Sequence, residues 1–425
     1  MISLNTTLKI EKLGARGEGV ARGAKGPVFV PYALAGETII AEVDGDRGKL
    51  VEIKEASPDR VDPFCPHYTI CGGCAVQALA EAPYAEWKRG LVVAALKNAG
   101  VAAEVGPLVD AHGAGRRRVT FHSRTSQKGN TRLGFMQARA HDIVDLDDCP
   151  ILSPTLNGAI EAARAAADAL GDLRKPLDLV VTATDNGLDV DLRGCGKLEF
   201  EYTQKLVAVA QKLDLARIAN HGFVVIERRP PLLKMGIAGV SPPPGTFLQA
   251  TAEGEATLAR LVLEATKGAK RVADLFSGIG TFALRLTQSA DVHAVEMDDS
   301  ALKALARAAH TSQGLRKITT ETRDLFRRPL LIAELNTYDA VVFDPPRAGA
   351  EMQAKMLAGS KVPLVVAVSC SPQSFARDAG VLIRGGYTLE SVTPVDQFRH
   401  SAHVELVAVF RRTNTKARGR GRLLG

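Results

Sequence analysis

The sequence predicts an α/β protein with a small β-barrel at its front and a mixed α+β segment in between. Three observations carry that prediction. Residues 1–56 hold short β-branched and apolar runs broken by Gly14, Gly17, Gly19, Gly23 and Gly26. Residues 57–75 are a knot of Pro, Cys and Gly without periodicity. From about Thr251, strand and helix patterns alternate at the spacing of a mostly parallel sheet with helices on both faces.

The elements follow in order. TTLKIEKLG, PVFVPYALAGETIIAEVDGD and GKLVEIKEA suit five short strands closing into a barrel of the oligonucleotide-binding type. Residues 76–99 read as a helix stopped by Gly100. RRVTFHSRT, TRLGFMQA and HDIVDLDDC read as strands over 116–149. An Ala-rich helix spans 153–170, with Gly171 as its expected C-cap. DLVVTATDN, GLDVDLRG, a helix near 203–213 and a Pro-rich extended stretch over 222–248 complete the middle. The last segment opens with a helix over 251–267, RVADLF, a helix over 281–288, VHAVE and a helix over 300–313. It closes with YDAVVFD, PLVVAVSC, a helix over 373–384, GYTLESVTPVD and HVELVAVFRR. The expected division is a barrel over 1–56, a central domain over 57–245, a Rossmann-like domain over 246–412 and a disordered basic tail over 413–425.

Composition narrows the function classes. Of 425 residues, 46% are hydrophobic and 24% charged, which excludes a disordered or fibrous chain. No apolar run reaches the ~20 residues of a membrane helix, and MISLNTTLKIEKLG lacks the apolar core of a secretory signal. A cytoplasmic location is expected. The 54 Lys and Arg against 47 Asp and Glu give a net charge of +7, which permits a polyanionic partner.

Three motifs point to chemistry. Asp274-Leu-Phe-Ser-Gly-Ile-Gly280 sits at a strand-to-helix turn, where glycines let the backbone approach a ligand. Glu296 ends the next strand, placed to accept both hydroxyls of a ribose. Asp324 and Asp344 end later segments, and no Walker-type Lys is present, so a nucleoside-like cofactor fits better than a triphosphate. S-adenosylmethionine fits. Asp344-Pro-Pro-Arg-Ala-Gly349 makes a rigid exit at the carboxyl edge of the sheet.

Cys370, in Val-Ser-Cys-Ser-Pro, ends another strand on the same rim. A thiolate there is a soft nucleophile. Uracil C5 is a poor nucleophile until a thiolate adds to C6; it then takes a methyl group from a sulfonium and must lose its proton. Glu405, at the start of the final strand, is the candidate base, with His400 and His403 as alternatives.

A fourth feature is Cys65-Pro-His-Tyr-Thr-Ile-Cys71-Gly-Gly-Cys74, spaced C-x5-C-x2-C, with Cys149 as fourth ligand. Four sulfurs suit zinc or an iron–sulfur cluster. Cys195 is left over as a structural residue.

In this order, DLFSGIGTFAL, VHAVE, DPPRAG, SCSP and HVE resemble the RNA uracil-5 methyltransferases over nearly the whole chain. The resemblance implies that Cys370 is the nucleophile and Glu405 the proton acceptor. It implies cofactor contacts by Gln249, Phe276, Glu296, Asp324 and Asp344. Thr281 and Thr251 stand where that family commonly has Asn, and a Thr281 hydroxyl could still serve the cofactor. Arg399 replaces a common Pro. The resemblance further implies a TRAM barrel and a [4Fe–4S] cluster on Cys65, Cys71, Cys74 and Cys149.

The expected partner is RNA, with ribosomal RNA favoured over transfer RNA because barrel and cluster occur together. No protein partner is inferred and a monomer is expected. Arg116, Arg117, Arg118, the barrel cations and the tail are candidate phosphate contacts; Phe121 and His122 are candidates to stack on a base. A radical-type RNA methylthiolation enzyme is a rival, but it would want C-x3-C-x2-C. A non-catalytic RNA-binding metalloprotein would leave Cys370, Asp344 and Glu405 without a role.

Overall fold

The computed structural model describes residues 4–412; the basic tail expected over 413–425 lies outside the described residues. Strands Leu4–Leu13, Gly19–Gly23, Gly26–Val30, Thr38–Asp44 and Arg47–Glu55 form a closed barrel. Their alternation turns Leu8, Ile10, Val28, Val30, Ile39 and Ala41 inward to fill it. Glu37 ties the barrel to the Pro- and Cys-rich segment after it. This fully buried carboxylate accepts Arg60 Nε at 2.6 Å and Nη2 at 3.0 Å.

The central sheet has seven strands. In spatial order they are Phe223–Glu227, Arg217–Asn220, Gly187–Arg193, Leu177–Thr184, Arg118–Thr125, Thr131–Met136 and Ile143–Asp145. Helices Ala159–Ala169 and Phe200–Lys212 pack against it through Ala162, Ala163, Ala166, Leu206 and Ala210. Gly171 is not the left-handed cap expected of it. It opens a short 3-10 turn, Gly171–Leu173, and Arg174 takes the positive φ of 51° instead. Gly100 does stop its helix, Glu81–Asn98, with φ 70°.

The third unit is an eight-stranded sheet. Its order is Ile318–Thr322, Asp291–Glu296, Arg271–Leu275, Ala340–Phe343, Leu364–Ser369, Glu405–Arg412, Tyr387–Asp396 and Val109–Asp110. The first five run parallel and Glu405–Arg412 runs against Leu364–Ser369. Ala340–Phe343 and Leu364–Ser369 are buried along their whole length, as central parallel strands are. Strand order reverses beside Arg271–Leu275, so the carboxyl ends of its neighbours open a crevice there. Because the last strand is antiparallel, its first residue, Glu405, falls on the same rim; Leu406 pairs with Ser369.

Helix Glu81–Asn98 precedes this unit in sequence yet packs on its sheet through Val92, Ala95 and Leu96. Strand Val109–Asp110 extends the sheet edge beside Val395 and Asp396. Among the described residues no helix is long and apolar enough to cross a membrane.

Candidate active site

The eight residues expected to act on substrate or cofactor line one cavity of about 590 Å³: Gln249, Phe276, Thr281, Glu296, Asp324, Asp344, Cys370 and Glu405. They reach it from the carboxyl ends of the five parallel strands, from the start of the antiparallel one and, for Gln249, from the segment before helix Ala252–Ala265. The glycine turn begins at Phe276, whose φ of 59° is unusual for a residue with a Cβ. Such backbone strain clusters at functional sites. Gly278 N donates to Glu296 Oε2 at 3.1 Å, while Met297 N and Asp298 N donate to Oε1 at 2.7 and 3.0 Å. The Glu296 carboxylate is thus fixed across the turn. Phe276 and Phe326 face each other with ring centroids 5.5 Å apart. They give the cavity an apolar wall suited to a flat heterocycle.

The reactive wall is held by a chain of amides. Gln249 Nε2 donates to Asp344 Oδ2 at 3.1 Å, and Gln397 Nε2 donates to Gln249 Oε1 at 2.5 Å and to Glu405 Oε1 at 3.2 Å. Gln397 receives Ala250 N on its own oxygen at 2.8 Å. Burial and mutual repulsion hold the proton on these carboxyls. Glu405 is pushed up to about 8 by burial and then by Asp344, against Gln397, Arg347 and Lys88. Asp344 is pushed up to about 7 by burial, against the Gln249 hydrogen bond.

Cys370 is half-buried between Ser369 and the N-terminus of helix Pro372–Arg384. Burial, then Glu405 and Asp344, push its thiol up to about 11; the Arg347 cation opposes them. Cys370 is therefore a thiol in the ligand-free protein and needs added positive charge to ionise.

Of the two histidines named as alternative bases, only His403 lines the cavity. Burial and Arg347 lower it to about 4, so it is neutral, and Arg347 Nη2 lies 3.2 Å from its Nε2. His400 packs instead on Phe64 and Tyr84. Sequence reasoning did not single out Arg347, Phe398 or Gln397. Arg347 lies inside the DPPRAG motif itself, so a signal was there. Gln397 carries none.

A second cleft, of about 780 Å³, is lined by Arg16, Arg116, Arg118, Arg139, Tyr32 and Phe398 among others. Phe398 also lines the first cavity, and the Arg116 guanidinium stands 5.6 Å from its ring centroid. Arg117 is not free for a phosphate as expected. Its side chain is nearly buried in an ion pair with Glu255 and donates to Gln249 O at 3.2 Å. Phe121 is likewise unable to stack on a base. It is fully buried and packs 5.6 Å from Phe135, because strand alternation turns Val119 and Phe121 inward and Arg118 and His122 outward. His122 Nδ1 lies 2.7 Å from Asp178 Oδ1.

Cys65, Cys71, Cys74 and Cys149 line a single small cavity with Tyr68 and Phe135. Their loop is pinned to the neighbouring hairpin by Gly72 N to Met136 O at 3.0 Å and Ala138 N to Ile70 O at 2.9 Å. Burial, then nearby thiols, push Cys149 up to about 12. Among the described residues no three His, Cys, Asp or Glu side chains are grouped as a single metal ion needs. Cys195 is buried and its Sγ lies 3.0 Å from Asn220 Oδ1, a structural place.

A comparison with protein-family profiles gives no match. The chain is 48% identical over 403 residues to an uncharacterized RNA methyltransferase of Brucella suis, covering 95% of this chain and 97% of that one. It is 31% identical over 439 residues to the 23S rRNA (uracil(1939)-C(5))-methyltransferase RlmD of Chromohalobacter salexigens, covering 97% of this chain and 90% of that one. Its fold is similar, with a TM-score of 0.72, to the Pyrococcus abyssi tRNA (uracil-54, C5)-methyltransferase solved with S-adenosyl-L-homocysteine. That match covers 95% of this chain and 99% of the other at 24% identity, and so speaks for the fold alone. By fold, by the residues of its cavity and by its full-length relatives, the chain belongs to the RNA uracil-5 methyltransferase family.

Proposed function

We propose that this protein methylates C5 of a uridine in RNA, with Cys370 as nucleophile and Glu405 as proton acceptor. The observation that carries the reading is the meeting of Cys370, Glu405, Asp344 and Gln249 in one cavity wall at the carboxyl rim of the sheet.

The Cys370 thiolate adds to uracil C6, which gives C5 carbanion character. Glu296, Asp324 and Phe276 would hold S-adenosylmethionine, which when bound would supply the electrophilic methyl group and a positive charge favouring the ionised thiol and carboxyls. Glu405 then takes the C5 proton, and the electrons of that bond re-form C5=C6 and expel the Cys370 sulfur. Asp344 and Gln249, tied together, and Thr281 would complete the cofactor contacts. Glu296→Ala should weaken S-adenosylmethionine binding by about 100-fold, the loss of two charge-assisted hydrogen bonds to a ribose. Isothermal titration checks it; unchanged affinity would remove Glu296 from the cofactor site.

The Arg-lined cleft beside Phe398 supports an RNA path leading to the cavity, where a uridine must be unstacked to reach Cys370. Ribosomal RNA is our preferred substrate, and transfer RNA the alternative; the 31% identical relative named for 23S rRNA supports the first. Mass spectrometry of RNA from a deletion strain decides, by locating the missing methyl group. We read the enzyme as a cytoplasmic monomer built of a TRAM-type barrel, a central domain and the methyltransferase domain, with boundaries near residues 56 and 245.

We also propose that Cys65, Cys71, Cys74 and Cys149 hold a [4Fe–4S] cluster. Four thiols share one cavity, and four cysteine sulfurs are the full ligand set of a closed [4Fe–4S] cluster. Fully ligated by cysteine, such a cluster would brace the loop rather than react. Anaerobically purified protein should be brown and contain four irons and four sulfides per chain; stoichiometric zinc without iron would contradict the assignment.

A further inference from the structure

Helix Glu81–Asn98 lies far from the methyltransferase segment in sequence but sends one charge beneath its active site. The Lys88 side chain is completely buried, as is its partner Asp396. Its Nζ donates to Asp396 Oδ1 at 2.6 Å, to Phe398 O at 3.1 Å and to His403 O at 2.5 Å. An ammonium has three donors, and all three are used here. The acceptors sit at the two ends of the connection between the last two strands, residues 397–404, with Asp396 closing the first of those strands. That loop carries Phe398 and His403 into the cavity and delivers the chain to Glu405. Tyr84, one turn earlier on the helix, reinforces the clasp. Its hydroxyl donates to Asp396 Oδ2 at 2.5 Å and accepts His400 N at 2.9 Å.

We propose that Lys88 is a positioning residue for proton removal, clasping residues 396–404 so that Glu405, Phe398 and His403 face Cys370. The inference rests on the reading of Glu405 as proton acceptor. A buried ammonium is costly to desolvate, and a plain structural pair would serve as well with apolar side chains. Two of the three Lys88 acceptors are instead carbonyls of residues in the cavity wall. The Lys88 cation also acts on Glu405 electrostatically. The charged or polar groups facing Glu405 are Asp344, Gln397, Arg347, Cys370 and Lys88, and of these only Arg347 and Lys88 are positive.

The test compares Lys88→Met, the paired variant Lys88→Met with Asp396→Asn, and Glu405→Gln. The paired variant leaves no unpaired buried charge. Each is assayed for S-adenosylmethionine binding, turnover, covalent RNA adduct on a denaturing gel, and pH dependence. The paired variant should bind cofactor like wild type, lose about 100-fold in kcat through a misplaced base, and accumulate the adduct that Glu405→Gln accumulates. In Lys88→Met alone, where Asp396 keeps its charge, the acid limb should move to higher pH, because removing a nearby cation makes Glu405 harder to deprotonate; in the paired variant, which removes both charges, it should move less. If Glu405→Gln accumulates adduct while the paired variant turns over with the wild-type rate and pH profile, Lys88 has no positioning role and the base assignment stands. If both variants of Lys88 lose cofactor binding and cooperative unfolding together, Lys88 serves the fold only and the proposal is overturned. If Glu405→Gln stops turnover without adduct, the base assignment fails first, and this inference with it.

Discussion

Cys370→Ala should abolish methylation while leaving S-adenosylmethionine binding intact. The side chain is half-buried at the end of a strand and makes none of the contacts that fix Glu296 or the glycine turn. Removing it leaves Asp344, Gln249 and the apolar wall in place, so cofactor affinity and melting temperature should hold. Turnover should fall by about 10⁴-fold or more, because Cys370 is the one thiol lining the cavity. Labelled-methyl transfer and isothermal titration, run on the same preparation, check the two halves. Turnover near the wild-type rate would reject the covalent route. Loss of cofactor binding along with turnover would make Cys370 part of the cofactor site instead.

Glu405→Gln should stop the reaction one step later. Gln keeps the volume and can still hydrogen-bond Gln397, but it cannot accept the C5 proton. Thiolate addition and methyl transfer go ahead, elimination does not, and a covalent protein–RNA species accumulates. A slow band that survives denaturation is the expected sign; its absence in an inactive variant removes Glu405 as the base. The wild-type enzyme gives a matching pH dependence. The working form of Glu405 is the carboxylate, and the ligand-free site raises that group to about 8. Its release step should therefore rise about tenfold per pH unit on the acid side and level off above about pH 8. The cofactor sulfur is a neutral thioether once its methyl has left, so this limb is set by the protein's own charges. A flat profile from about pH 6 to about pH 9 would point to another acceptor, with His403 next in line.

Much of this site was legible because its residues stand at the ends of runs of apolar sequence. RVADLF, VHAVE, YDAVVFD and PLVVAVSC are buried strands, and a polar residue at the end of such a strand must lie on the rim. The edge strand Ile318–Thr322 gave no such signal, because its threonines and Glu321 face solvent or lie only partly covered. Helices Ile332–Leu335 and Glu351–Gly359 were also missed, the first a single turn and the second without a clear apolar stripe. The three consecutive arginines looked alike in sequence. Strand geometry sends Arg117 into Glu255 while its neighbours Arg116 and Arg118 reach the cleft. The clasp on Glu405 was invisible for another reason. Lys88 and Asp396 are 308 positions apart, and a lysine in a helix ordinarily points to water.

RNA carrying 5-fluorouridine at the methylation site offers the most direct trial of covalent catalysis. Fluorine cannot leave C5 as a cation, so the adduct that Glu405 normally resolves has no way forward. Digestion and mass spectrometry of the trapped protein should find the methylated nucleotide on the peptide holding Cys370, in a reaction that requires S-adenosylmethionine. A fluorinated substrate that leaves the protein unmodified, or a nucleotide found on any other cysteine, would contradict the role assigned to Cys370.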